Sequence, residues 1–222
     1  MMLIPGPQHA QVWLDFDGTI TRGDLVDDLL VRYAVDDSWE MAERLWQAGE
    51  IGSRQCLERQ LALVSVGDAE LESFLDIVEL DPGLVPLLKL LDRFAVPRAI
   101  VSDGVDTFIA RILARHGVSL PVRSNTIERR EDRMALQCPL HRPDCESAAA
   151  HCKCASITEL SAGGRRSIYV GDGRSDLCPA RKMDCIFAKG ALAEALKREG
   201  RPFVPFKTLL DVAAALSRQW TD

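Results

Sequence analysis

Apolar residues along this chain recur with two different periods, and the places where the period changes divide it. Short apolar runs close on polar turns: Val12-Trp13-Leu14 before Asp15-Phe16-Asp17-Gly18-Thr19, Val96 to Val101 before Ser102-Asp103-Gly104, and Ser167 to Val170 before Gly171-Asp172-Gly173. Such runs predict parallel strands buried on both faces. Pro121 to Glu128, Asp184 to Ala188 and Pro202 to Val204 predict further strands, and Arg129 to Gln137 a charged turn and short hairpin. Helical spacing marks Leu84 to Phe94, Val105 to His116, Ile157 to Ser161, Ala191 to Arg198 and Thr208 to Leu216. Strands alternating with helices predict an α/β fold, a doubly wound, Rossmann-like parallel sheet.

One stretch breaks the alternation. Between Asp24 and Glu79 the apolar residues keep helical spacing throughout, as in Leu25, Leu29, Leu30, Tyr33 and later Cys56, Leu57, Leu61, Val64. It is much too long for a crossover helix, so it predicts a small helical domain over residues 23–79 inserted into a core of residues 1–22 and 80–222. Met1 to Gln11, with prolines at 5 and 7, leads irregularly into the first strand.

Ligands of open α/β sheets bind at the carboxyl ends of the strands, where Asp15 and Asp17 stand. Alternation along the strand puts their side chains on one side, with Phe16 turned into the core. Adjacent carboxylates repel unless a cation lies between them, as a hard oxygen-ligated ion such as Mg²⁺ requires. Asp-Gly is also ordinary turn chemistry, so the string alone admits a surface turn. Ser102, with Asp103 and Gly104, can present a hydroxyl and backbone N–H groups to a phosphate oxygen, or Ser102 can simply cap a helix. Gly171 and Gly173 let the backbone at Asp172 approach a ligand, and its carboxylate can complete a metal site begun by Asp15 and Asp17.

At 222 residues and 47% hydrophobic, the chain can bury one good core, or one core with a small appended domain. A net charge of −6 argues against a nucleic-acid partner, and Arg129-Arg130 and Arg165-Arg166 sit near acids as solvated doublets. No apolar run approaches a membrane span and the start lacks a signal-peptide pattern, which predicts a cytoplasmic protein without a membrane partner. The oligomeric state is not encoded in any recognisable pattern.

Seven cysteines, mostly clustered, fit reduced thiols or a metal site better than a disulfide framework. Cys138, His141, Cys145, His151, Cys152 and Cys154 fall in one short span. Cys145, His151, Cys152 and Cys154 are candidate ligands for a structural Zn²⁺, although the spacing is not that of a standard zinc finger. A loop of reduced thiols is the alternative.

The ordered set Asp15-Phe-Asp17-Gly-Thr, Ser102, Lys153 and Gly171-Asp172-Gly resembles the haloacid dehalogenase-like superfamily over nearly the whole chain. The resemblance implies a hydrolase acting on a small-molecule phosphate monoester, with the helical insertion as a cap. It implies Asp15 as a nucleophile forming an aspartyl-phosphate and Asp17 as general acid and base. Lys153 would neutralise nucleophile and phosphate; Lys182 and Lys189 are alternatives by charge alone but follow the last motif. Asp15, Asp172 and the backbone carbonyl of Asp17 would hold Mg²⁺, and Asp176 would orient the site or Lys153. Members that cleave carbon–halogen bonds lack the second acid, so Asp17 favours phosphate esters.

Within the superfamily the chain is similar to the phosphoserine phosphatase-like subgroup. Asp24 falls where a glutamate there binds the substrate amine, but the cap arginine that grips a carboxylate is replaced near Gln60. The stretches Gly49 to Leu63 and Cys152 to Ile157 look closer to the 2-hydroxy-3-keto-5-methylthiopentenyl-1-phosphate phosphatases, and the cysteine-rich loop resembles that of phosphoethanolamine and phosphocholine phosphatases. A noncatalytic phosphate- or metal-binding module would not need all these groups, and a phospho-accepting receiver would need neither the insertion nor Asp17.

Overall fold

The computed structural model describes residues 3–220, so the outermost residues of the predicted core range lie outside the described part. After β1 (Ala10–Leu14) come α1 (Leu25–Tyr33), α2 (Trp39–Ala48), α3 (Ser53–Ala62) and α4 (Asp68–Asp76), the helical insertion. The chain continues through α5 (Leu84–Arg93), β2 (Arg98–Val105), α6 (Asp106–Arg115), β3 (Val122–Arg130) and β4 (Arg133–Gln137). It ends with α7 (Lys153–Leu160), β5 (Arg166–Gly171), α8 (Leu177–Ala180), β6 (Cys185–Ala188), α9 (Gly190–Arg198), β7 (Val204–Pro205) and α10 (Leu209–Gln219).

Among the described residues the strands form one sheet in the order β4-β3-β2-β1-β5-β6-β7, parallel except for the β3–β4 hairpin. Period-two alternation builds both faces. Val12, Leu14, Ile100, Ile168, Val170 and Phe187 pack on one side with apolar residues of α5, α6 and α10. Trp13, Ala99, Val101, Tyr169 and Ile186 pack on the other with α7 and α9. The chain winds outward in both directions from β1, to β2 on one side and β5 on the other. The crevice where the winding reverses therefore opens at Asp15, directly beyond β1.

Two boundaries differ from the sequence pattern. β2 does not stop at Ser102 but runs to Val105 through a register shift against β3 between Val101 and Val105. An irregularity of this kind bends a strand and re-aims its side chains, and here it falls on Ser102-Asp103-Gly104. α7 begins at Lys153, four residues earlier than expected, immediately after the cysteine-rich loop.

The insertion leaves and rejoins the core through paired segments: Thr21 bridges Leu80, the Arg22 N–H donates to the Glu79 carbonyl at 3.1 Å, and Asp81 N–H to the Ile20 carbonyl at 2.7 Å. Asp81, buried at this junction, accepts from the backbone N–H of Gly83 at 2.8 Å and of Leu209 at 3.0 Å. One carboxylate thus ties the starts of α5 and α10 together. Asp81→Ala would strand two buried donors at once, and we expect it to cost about 3 kcal/mol in urea unfolding. A loss below about 1 kcal/mol would show that water satisfies the junction instead.

Candidate active site

Lys153 opens α7 with its side chain directed under the sheet end, and its ammonium donates to Asp15 at 2.7 Å, Asp176 at 2.6 Å and Ser175 at 3.3 Å. All three charged groups are buried. Burial alone would lower the Lys153 pKa, but Asp15 and Asp176 outweigh it and hold the ammonium well above its ordinary value. Asp176 also accepts from the Tyr169 hydroxyl at 2.6 Å and from the N–H of Asp172 and Gly173, each at 3.0 Å. Its oxygens are thereby committed to shaping the turn and positioning Lys153.

Asp172 faces Asp15 across the crevice and accepts from the Thr19 hydroxyl at 2.7 Å. Close approach here depends on Gly18, whose φ of +68° is left-handed and whose place a Cβ could not share: it would lie 2.4 Å from an Asp172 carboxylate oxygen. Asp17 turns the other way, accepting from the Leu25 N–H at 3.3 Å and, at a long 3.5 Å, from the Ser102 hydroxyl. Ser102 Oγ in turn accepts from the Gly104 N–H at 2.9 Å. A Cβ at Gly104 would stand 2.7 Å from an Asp17 oxygen, so the bulged end of β2 fits against the second acid only as glycine.

Burial and neighbouring acids raise Asp15, Asp17 and Asp172. Asp15 is pushed well above the usual carboxylate range by burial, then by Asp176, and Asp17 likewise by burial and by Asp24. Burial and Asp176 lift Asp172 to about 6. Asp15, Asp172 and Asp176 each bring a carboxylate oxygen within 4.8 Å of the others, the one such group of three or more metal-ligating side chains among the described residues. Two buried and one half-buried carboxylate against a single ammonium form an all-oxygen donor set that fits a hard divalent cation.

Asp103, expected to touch substrate, lines the cavity with both oxygens occupied: one accepts from the Ser53 hydroxyl at 2.8 Å, the other from the His151 N–H at 2.9 Å. It fastens α3 of the insertion to the core. Asp24 lines the cavity too, but its carboxylate caps α1, accepting from the N–H of Val26 at 2.9 Å and Asp27 at 3.1 Å. Its cap function was not foreseen.

The expected zinc site does not form. His151 is fully buried as a neutral ring, its pKa lowered by burial. One ring nitrogen lies 2.8 Å from the Ser102 carbonyl and the other 2.6 Å from the Ser156 hydroxyl, so neither is free to ligate. Cys154 pairs with Cys178 instead, sulfur to sulfur at 3.4 Å, while Cys145 lies against Ser147 at 3.5 Å. Cys145 and Cys152 face each other, but His151 and Cys154 point to other neighbours, so the four do not converge.

Several wall residues had no signature in the sequence: Asp27, Glu43, Trp46 and Cys56 occupy ordinary positions of α1, α2 and α3. Glu43 accepts from buried Gln60 at 3.2 Å, so the position where an arginine was missed joins an acidic wall. Thr19 and Ser175 belonged to motifs already noted, and their hydroxyl roles could have been read there.

The haloacid dehalogenase-like hydrolase family model matches residues 12–181, spanning every one of these acids and Lys153. The chain belongs to that family. The hydrolase is 27% identical over 212 residues to a 2-hydroxy-3-keto-5-methylthiopentenyl-1-phosphate phosphatase of Microcystis aeruginosa, covering 90% of this chain and 94% of that one. It is 24% identical over 210 residues to the protein of that name from Bacillus thuringiensis, covering 93% and 95%. Among solved structures, a substrate-bound phosphoserine phosphatase complex aligns with a TM-score of 0.73 at 16% identity, over 93% of this chain and 97% of that one. A hydrolase of the same family from Salmonella enterica serovar Typhi gives 0.74 at 19%, over 94% and 70%. The α/β fold expected from the strand pattern and the membership expected from the motifs both agree with these findings, and the relatives' names agree with a phosphoric monoester hydrolase. No helix among the described residues is long and apolar enough to cross a membrane.

The acid cluster sets a pH dependence of stability. A carboxyl whose pKa is higher folded than unfolded binds more protons in the folded state, so stability falls as pH rises from about 4 through the folded value. Asp15, Asp17 and Asp172 all shift that way, Asp172 to about 6. Chelator-treated protein should therefore melt several degrees lower at pH 8 than at pH 5 in a calorimetric scan; a higher midpoint at pH 8 would contradict the acid excess.

Proposed function

We propose that this hydrolase is a Mg²⁺-dependent phosphatase that cleaves a small-molecule phosphate monoester through an aspartyl-phosphate on Asp15. The observation that carries this is the contrast between two neighbouring acids, both raised by burial: Asp15 is ion-paired with Lys153 at 2.7 Å, while Asp17 makes no ion pair among the described residues. Lys153 favours the ionised form of Asp15 that attacks phosphorus and lowers the repulsion between carboxylate and phosphate. Asp17, whose proton burial and Asp24 help it to hold, donates that proton to the departing alcohol oxygen and then takes one from the hydrolytic water. Ser102 Oγ and the backbone N–H groups at the bulged end of β2 hold phosphoryl oxygens. Asp15, Asp172 and the Asp17 carbonyl would hold Mg²⁺, which would supply positive charge to the phosphoryl oxygens.

Residues 23–79 act as a cap that contacts the leaving group, and residues 1–22 and 80–222 carry the chemistry. The relatives' names make 2-hydroxy-3-keto-5-methylthiopentenyl-1-phosphate the first substrate to try. The cavity wall favours a second: Asp24, Asp27 and Glu43 face it from the insertion, and the one arginine lining it, Arg174 of the core, is engaged with the Gln47 carbonyl and the Trp46 ring. A leaving group bearing an amine, as in an aminoalkyl phosphate, suits such a wall, and the carboxylate of phosphoserine does not.

Asp15→Asn should abolish turnover of p-nitrophenyl phosphate with the fold intact by circular dichroism, and EDTA should silence the wild type until Mg²⁺ is restored. A folded mutant near wild-type activity would refute the covalent route. Asp24→Asn keeps the helix cap and removes the charge. If the amine is the recognised feature, its kcat/KM for an aminoalkyl phosphate should fall about tenfold or more while that for the aryl ester barely changes. Equal losses would assign Asp24 to the cap alone.

A further inference from the structure

The thiols that do not form a zinc site are arranged around the catalytic lysine. Cys154 follows Lys153 directly in the first turn of α7, and Cys178 lies in α8, two residues beyond Asp176. Their sulfurs are 3.4 Å apart, and both side chains are half-buried rather than sealed in the core. The pair thus bridges the two elements whose charged residues, Lys153 and Asp176, form the 2.6 Å contact at the base of the site.

We propose that Cys154 and Cys178 form a reversible disulfide under peroxide and that this bond turns the enzyme off. In the first step the Cys178 sulfur attacks one peroxide oxygen; the O–O bond breaks, leaving a sulfenic acid on Cys178 and releasing one water. In the second, the Cys154 sulfur attacks the Cys178 sulfur; the S–O bond breaks, an S–S bond forms, and the hydroxyl leaves with the Cys154 proton as a second water. Two electrons pass from the sulfurs to the peroxide, and a dithiol reductant returns them.

The division of roles follows from the surroundings. Cys154 is pushed up to about 12 by burial and by the Cys178 sulfur, so it remains a thiol at neutral pH and serves as the resolving partner. That leaves Cys178, 3.4 Å away, as the sulfur that attacks the peroxide.

Bond formation draws the sulfurs from 3.4 Å to about 2.05 Å. Lys153 has no slack to absorb a shift of the α7 start, because its ammonium is already at hydrogen-bond length from both Asp15 and Asp176. Displacements on the order of 1 Å can lower a rate about a hundredfold.

The test treats the intact protein with hydrogen peroxide, maps disulfides by mass spectrometry of non-reduced peptides, and measures turnover of p-nitrophenyl phosphate with Mg²⁺ before and after dithiothreitol. We expect a Cys154–Cys178 linked peptide, a tenfold or greater loss of turnover in step with it, and recovery on reduction. Cys154→Ser and Cys178→Ser should each retain basal turnover and resist peroxide, and Cys154→Ala provides a second variant should the serine fold poorly. A linkage confined to Cys145 and Cys152, no linkage at all, or a complete Cys154–Cys178 linkage with unchanged turnover would each overturn the proposal. The activity readout rests on the phosphatase function proposed above, whereas peptide mapping does not. An inactive reduced enzyme that still forms the mapped bond would count against the proposed function, and the switch would then be read by loss of Mg²⁺-induced thermal stabilisation on oxidation.

Discussion

The position of a single ammonium group governs the centre of this molecule. Lys153 Nζ lies between the carboxylates of Asp15 and Asp176, and the three residues arrive from the end of β1, the start of α7 and the turn after β5. A buried charge is tolerated only with partners, and removing one partner of such a pair costs about 3–5 kcal/mol. Each of these segments therefore depends on the other two for its placement. Tyr169 completes the arrangement from within β5, spending its only hydroxyl on Asp176 in the apolar layer below.

The same arrangement leaves more acid than base in the crevice. A protein selected for stability alone would replace several of these carboxylates; retaining them is a cost that function imposes. The electrostatic demand for a cation and the raised proton affinities of Asp17 and Asp172 have one origin, the enclosure of acids at the sheet's carboxyl edge. The insertion is fastened over this edge by a relay of polar contacts rather than by apolar packing alone. Ser53 on α3 both donates to Asp103 and accepts from the Ala150 N–H, joining the insertion to β2 and to the cysteine-rich loop. Gly52 lies so close to Ala148 that a Cβ there would meet its carbonyl oxygen at 2.2 Å.

The core's strands were legible because a sheet buried on both faces needs continuous apolar runs, and those runs are short and sharply ended. Asp15, Asp17, Lys153 and Asp172 were legible as an ordered set, each at a strand end or helix start. What escaped had no local pattern. Glu43 looks like a solvated helix position until α2 turns it toward Gln60 and the cavity, and nothing at Asp103 announces that its carboxylate holds Ser53 and the His151 N–H. The zinc expectation failed because spacing along the chain says nothing about direction: Cys152 and Cys154 flank Lys153, yet Cys154 faces α8 while His151 points to Ser102 and Ser156.

The paired crossing at Thr21 and Leu80 has an evolutionary corollary. Because departure and return lie side by side on one bridge, everything between them hangs from the core as a loop whose ends are already closed. Lengthening a loop with fixed ends changes its closure entropy only slowly, by about 0.6 kcal/mol per doubling. The intervening helices can therefore be exchanged or resized over evolution at little cost to the closure of the core beneath them.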